Sequence, residues 1–405
     1  MQVNELIEQC EQELAPQFKK LEEVAYRNQC KVMEAFQKNK IALRHFAPST
    51  GYGYGDEGRD TLGMLFADVF GTEAGLVSPS ILSGTHALTV ALFGLLKTGD
   101  TLFSISGNPY DTLQEVIAGK DIGSLADYGI AFKKCELKDG EFDTEAIREG
   151  LCDPSVKVVF IQRSRGYEWR DALSEEKIAK VCAFVRLCGF TGCIFTDNCY
   201  GEFVEESEPT QNGADICVGS LIKNAGGGIA PTGGYIVGKK EYVDKIAGRL
   251  TSPSIGAEVG SYAFGYQYFY EGLFLAPHVV CQALKGGLLI GACLEKLGYV
   301  TSPAVTSQPY DITRAIRFHT EQELTGFIQA VQEASPVDSF VKLEAWDMPG
   351  YEDRVIMAAG TFVQGASIEL SADAPVREPY IAYFQGGLTY EHCKYALTKI
   401  LSKIK

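Results

Sequence analysis

Apolar positions recur at helical spacing from the start of the chain: Val3, Leu6, Ile7, Cys10 and Leu14, then Phe18, Leu21, Val24 and Ala25. Pro16 falls between the two sets, so the pattern predicts two amphipathic helices over residues 2 to about 40, lying outside the main domain. The stretch RHFAPSTGYGYGDEGRD (44–60) carries four glycines and a proline and reads as loop. Residues 61–70 read as a helix with Leu62, Leu65, Phe66 and Val69 on one side, and 86–96 as another. From there the pattern alternates. Strands over 101–105, 131–135, 156–161 and 192–196 are separated by helices over 110–118, 143–150 and 175–187. Two more apolar runs, 216–219 and 235–237, bracket a glycine-rich segment. Such β-α repetition predicts a mostly parallel sheet covered on both faces.

Beyond about residue 270 the texture changes. Helices are predicted over 284–297, 321–334 and 390–404, and strands over 342–345, 355–359 and 366–370. A polar loop with two prolines, 373–380, presents Arg377, for which a rim ion pair with Glu378 is the plain structural role. Helices grouped with a few strands predict a smaller α+β domain. The organisation expected is an N-terminal helical arm (1–45), a large domain (46–270) and a small C-terminal domain (271–405).

Composition narrows the classes. The chain has 405 residues, 46% of them hydrophobic and 22% charged, enough for a large core and two domains. A formal net charge of −15 disfavours nucleic acid or anionic membrane as partners. Twelve cysteines form no C-x-x-C pair and there are only five histidines, so metal spacing is absent and no metal is expected. No basic leader precedes an apolar stretch, and no run reads as long enough to span a bilayer. These features predict a cytoplasmic protein whose cysteines are small core residues.

The segment ADICVGSLIKNAGGGIAPTGGYIVG (214–238) reads strand, lysine, glycine-rich loop, strand. An unpaired ammonium between buried strands is costly. A lysine that condenses with an aldehyde cofactor escapes that cost, because it is no longer a free ammonium. The alternative is a lysine at a strand end with a loop that needs positive φ. Ligands of parallel sheets sit beyond the carboxyl ends of the strands. That edge is predicted to carry Tyr110, the run Gln162-Arg163-Ser164-Arg165, Asp197, Asn198, Tyr200, Ser220 and Lys223. Ser83-Gly84-Thr85 opens a helix whose N-terminus could bind an anion. Tyr52, Tyr54 and Arg59, spaced by glycines, resemble a clamp for a phosphate or carboxylate.

In this order, SGTHA, Tyr110, Asp197, Ser220-x-x-Lys223 and Arg377 resemble the large pyridoxal-phosphate enzymes of aspartate-aminotransferase-like fold, and within them the Cys/Met-metabolism group. GYGYGDEGRD, SGTHA, GSLIKNAGGGIAPTGGYIVG and REPYIAYFQGGLTYEH are similar to the bacterial aluminium-resistance or methionine-γ-lyase-like proteins, over about residues 40 to 405. The loop QRSRGY and the NAGGG after the lysine depart from the better-known lyases, so fold and cofactor carry over but the substrate does not.

The resemblance implies an α/β chain with a seven-stranded, mostly parallel sheet and a small C-terminal α+β domain. It implies pyridoxal 5′-phosphate held by Lys223, with Asp197 on its ring nitrogen and Tyr110 stacked on the ring. Ser83, Gly84, Thr85 and Ser220 would cradle the phosphate. Tyr54 and Arg59 would reach the site of a neighbouring subunit, with Tyr54 taking part in catalysis, in a homo-oligomer of shared sites expected to be a tetramer. Arg377 and Arg165 would bind the substrate. The implied activity is a carbon–sulfur lyase of the cystathionine β-lyase or methionine γ-lyase type, yielding thiol, 2-oxo acid and ammonia. The alternatives are another reaction of the same cofactor (transamination, γ-replacement or aldol-type cleavage) and a non-catalytic cofactor-binding protein linked to metal tolerance.

Overall fold

In the computed structural model of the chain, residues 2–348 and 353–404 are described. Helix α1 (Val3–Lys38) runs unbroken for 36 residues with Pro16 inside it. The two helices expected from the proline are therefore one. Pro16 forfeits one backbone donor, at a cost of roughly 3 kcal/mol in a free helix. The apolar stripe on both sides of Pro16 packs onto the same core: Leu6, Ile7, Cys10 and Leu14 before it, Leu21 and Val32 after it, are all buried. Burial at roughly 1.5–3 kcal/mol per large side chain outweighs one lost bond.

The main sheet is laid down in alternation with helices. In chain order come α2 (Glu57–Val69), β1 (Ala74–Ser78), α3 (Gly84–Leu95), β2 (Thr101–Ser104), α4 (Asp111–Ala118) and β3 (Ala131–Lys134). A small hairpin, β4 (Leu137–Lys138) and β5 (Glu141–Phe142), leads to α5 (Thr144–Leu151), β6 (Val156–Gln162), α6 (Glu175–Leu187) and β7 (Cys193–Asp197). Then follow β8 (Ile216–Ser220), β9 (Gly234–Gly238) and α7 (Lys240–Leu250). The seven-stranded sheet has the order β1-β9-β8-β7-β6-β2-β3; β9 runs antiparallel to both neighbours and the remaining pairs are parallel. Strand β2 lies between β3 and β6, so the winding reverses there, and a crevice opens beyond its carboxyl end.

Helix α8 (Gln267–Lys296) is 30 residues long and passes over residue 270, where the domain boundary was expected. It is long and apolar enough to cross a membrane by length and composition, contrary to the expectation from sequence. Most of its apolar residues are buried within the protein, against α1 among others. Pro277 sits inside it, as Pro16 does in α1, which is why its first half escaped the sequence pattern.

The C-terminal part holds β10 (Val300–Ser302), β11 (Thr313–Arg317), α9 (Glu321–Ala334), β12 (Val355–Ala358), β13 (Ser371–Pro375), β14 (Ile381–Gln385) and α10 (Tyr390–Lys403). Its sheet is antiparallel throughout, in the order β10-β11-β14-β13-β12. Two expected strands are not strands. Residues 342–345 are irregular, and 366–370 form turns, because the Glu369 carboxylate accepts hydrogen bonds from Phe362 N and Val363 N, each 2.9 Å, and curls the segment back. The strand follows directly as β13, so Asp373 to Pro375 lie in a sheet and not in the polar loop.

Candidate active site

Lys223 caps a single turn, Asn224–Gly226, just beyond β8. The glycines after it serve close packing. A Cβ on Gly227, which has φ +57°, would sit 2.3 Å from the Gly272 carbonyl of α8, so the loop presses directly on that helix. Asn224 pins the loop from the other side: its Nδ2 donates to the carbonyls of Tyr200 and Glu202, both at 3.0 Å. Those carbonyls belong to the turn after β7, which also carries Asp197. The lysine and the aspartate are thus tied by one side-chain amide that the sequence reading passed over.

Tyr200 holds φ +75°, uncommon for an aromatic residue. That turn brings its ring under Lys223, whose Nζ lies 4.1 Å from the ring centroid. Asp197 is buried, and its Oδ1 accepts from Cys199 N at 3.1 Å. Burial pushes its carboxyl above the usual range, and Lys223 pulls against that. Burial likewise pulls the Lys223 ammonium down, but the acidic groups Cys199, Tyr200, Asp197 and Tyr110 outweigh it and hold its pKa well above the ordinary value. Tyr110 N donates to Gln162 Oε1 at 2.8 Å, and the Tyr110 hydroxyl is hydrogen-bonded to Thr85 Oγ1. Burial, with Asp197 beside it, raises the Tyr110 phenol.

Lys223, Asp197, Tyr110, Cys199, Tyr200, Asp373 and Tyr383 share one cavity of about 180 Å³. A second cavity of about 370 Å³ adjoins it across Tyr110, Asp111, Gly166 and Tyr167, and contains Gln162, Arg165 and Arg377. Arg165 is 1% exposed. Its Nη1 donates to Ser302 Oγ at 3.0 Å and Nη2 lies 3.6 Å from Asp171, while Nε and Nη2 make no hydrogen bond. Arg377 is at the rim, half exposed, and pairs with Asp353 at 2.6 Å, not with Glu378 as its structural role was expected to be.

Ser83 caps α3 by accepting from His86 N at 3.0 Å. A Cβ on Gly84 would stand 3.3 Å from Cys199 Sγ and 3.4 Å from Ser220 Cβ, so the start of α3 closes one end of the same site. Tyr54 and Arg59 do not join the cavity of their own chain. Tyr54 is exposed and stacked on Tyr52 at 5.4 Å. Arg59 is on the first turn of α2, where Asp56 accepts from its backbone N, so the end of the expected loop is helix. Its guanidinium donates to the carbonyls of Gly53 and Gly260 at 2.9 and 2.8 Å.

A buried carboxylate at the end of β7, a lysine just beyond β8, the Tyr110 and Tyr200 rings in the same cavity and a helix N-terminus closing one end fit pyridoxal phosphate. The doubly wound sheet and this site define the aspartate-aminotransferase-like class of fold. The methionine gamma-lyase family model matches residues 3–405, and the chain belongs to that family. It is 48% identical over 398 residues to the uncharacterised protein YnbB of Bacillus subtilis strain 168, covering 97% of this chain and 94% of that one. A solved structure from Bacillus cereus superposes with TM-score 0.97 at 50% identity, covering all of both chains. Another, described as a carbon-sulfur lyase involved in aluminum resistance from Clostridium novyi NT, gives TM-score 0.96 at 47% identity over 100% of this chain and 96% of that one. At the level of fold alone, the pyridoxal-5′-phosphate-dependent protein YhfS of Escherichia coli superposes with TM-score 0.64 at 17% identity, over 93% and 96% of the two chains.

Proposed function

We propose that this chain is a pyridoxal-phosphate-dependent carbon–sulfur lyase acting on a sulfur-containing amino acid. The observation that carries the reading is the shared cavity: buried Asp197 at the end of β7 and Lys223 just beyond the neighbouring β8, with Tyr110 lining the same space. When bound, the cofactor supplies an electron sink for the electrons of a broken Cα–H bond.

The chain's residues do the rest. Lys223 anchors the group and afterwards moves the proton at the substrate Cα. Asp197 holds a proton on the ring nitrogen; its burial makes an ion pair there strong. Tyr110 covers one face of the ring, braced by Gln162 and Thr85. The N-terminal amides of α3, with Thr85 and Ser220, bind the phosphate. Arg165, with two donor nitrogens that make no hydrogen bond, and Arg377 at the rim orient the substrate carboxylate. Tyr54 and Arg59 serve the site of a second copy, which makes the working enzyme a homo-oligomer.

The test is to offer cystathionine, methionine, cysteine and homocysteine to the pure protein and follow thiol, ammonia and 2-oxo acid together. All three products should rise in step from at least one substrate. Conversion of an added 2-oxo acid to an amino acid, with no thiol, would mean a transaminase instead.

A further inference from the structure

The sulfur that leaves in such an elimination needs a proton. Lys223 takes the proton from Cα, and a second acid in the cavity would let the sulfur be protonated as its own bond breaks, without waiting for that proton to be carried across. We propose that Asp373 is a catalytic residue of this site, the acid that protonates the departing sulfur; the proposal rests on the lyase reading above.

Asp373 stands in β13, directly opposite Tyr383 of β14 in the sheet register. Both line the cavity that holds Lys223, on the wall contributed by the C-terminal sheet, whereas Asp197 and Cys199 belong to the wall contributed by the main sheet. The cavity between these walls measures about 180 Å³. The Tyr167 hydroxyl donates to Asp373 Oδ2 at 2.7 Å, which fixes the carboxyl's orientation. Tyr167 is held in turn, its carbonyl accepting from the Tyr383 hydroxyl. Lys223, Tyr200 and Tyr110 share this cavity, and Arg165 borders the next. Burial holds the Asp373 carboxyl up at about 6, with Tyr167 and Lys223 pulling it down, so it both carries and releases a proton near neutrality.

For a β-elimination the step balances as follows. Lys223 takes the Cα proton, and that bond's electron pair becomes the second Cα–Cβ bond. The Cβ–S bond breaks with its pair on sulfur, the Asp373 proton goes to sulfur, and a neutral thiol departs from a carboxylate. No oxidant or further reactant is needed.

The experiment compares the loaded wild type with Asp373→Asn on two S-substituted cysteines, one releasing an alkanethiol and the other a nitrothiophenol. Solvent deuterium exchange at Cα is measured alongside. A weakly basic nitrothiophenolate leaves without help, so the variant should lose on the order of a hundredfold to ten-thousandfold in kcat on the alkyl substrate and less than about tenfold on the aryl one. Exchange at Cα should persist. Equal losses on both substrates, or a raised KM with kcat unchanged, would overturn the assignment and leave Asp373 a binding or structural group. If the wild type releases thiol from neither, β-elimination is excluded and this proposal falls; only silence toward cystathionine, methionine, cysteine and homocysteine as well would fail the lyase reading itself. Should Asp373→Asn not fold, Tyr167→Phe decides the matter. Loss of a hydrogen bond that favours the carboxylate should move the alkaline fall of alkyl-substrate kcat to higher pH, and an unmoved profile refutes the proposal.

Discussion

Replacing Arg163 by Met should unfold the protein more readily at pH 8 than at pH 6. Arg163 is fully buried; its guanidinium lies 2.8 Å from Glu175, 2.8 Å from Glu205 and 3.9 Å from Glu208. Burial pulls its pKa down, and the surrounding glutamates more than reverse that. Even so, burial holds Glu175 up to about 7 against an ordinary 4.5. At about 1.4 kcal/mol per unit, that is on the order of 3 kcal/mol which ionised Glu175 costs the fold. Breaking a buried pair by removing one partner costs roughly 3–5 kcal/mol. With an unfolding entropy of about 2.1 cal/mol/K per residue, a chain of this length should lose about 4–6 °C in Tm. The sign follows from the direction of the shift. A carboxyl whose folded pKa lies above its unfolded value binds more protons when folded, so stability falls as pH rises between the two values. Without Arg163 the folded values of Glu175 and Glu205 rise further, and the loss extends upward in pH. Thermal unfolding followed by circular dichroism at both pH values measures this. A variant as stable as wild type at pH 8, or one hurt more at pH 6 than at pH 8, would mean that Arg163 does not offset the buried carboxylates.

Lys223→Ala should lack the visible absorption band of lysine-bound cofactor, and borohydride should fix the cofactor of the wild type to Lys223; labelling of another lysine counts against the site. Mixed oligomers of Lys223→Ala and Arg59→Ala subunits should regain activity that neither homo-oligomer has, because one intact shared site forms in each hybrid pair; verified hybrids with no gain would mean a site built within one chain. Arg165→Ala should raise KM more than Arg377→Ala does, since Arg165 is buried with two nitrogens that make no hydrogen bond and only a 3.6 Å contact to Asp171, whereas Arg377 is exposed and held by Asp353 at 2.6 Å; the reverse order of KM values would reassign the carboxylate grip.

The strands that carry the site were legible because each ends a continuous apolar run and is followed by a polar residue with chemistry to offer, as Phe195-Thr196-Asp197 and Val218-Gly219-Ser220 are. Their assembly at one edge followed from the parallel topology. What was hidden depended on side chains acting at a distance. Glu369 bends a stretch that looks like a strand, and Asn224 joins two loops more than twenty residues apart. Asp373 read as part of a turn because two prolines follow it, yet β13 pairs through Pro375 with Val355. Prolines misled in α1 and α8 for the same reason: tertiary packing restored what local propensity took away.

The pairing of α1 with α8 also sets an order of events during synthesis. Between Lys38 and Gln267 the ribosome must add the whole main sheet, which at roughly 5–20 residues per second takes on the order of ten to fifty seconds. Throughout that interval the buried stripe of α1 has no α8 to cover it. Its contacts with α10, through Glu11 to Lys394 at 2.8 Å and to Tyr390 at 2.7 Å, come later still. Docking of α1 is therefore a late, long-range closure, and a nascent chain halted before α8 presents that stripe to whatever chaperone or neighbour is at hand.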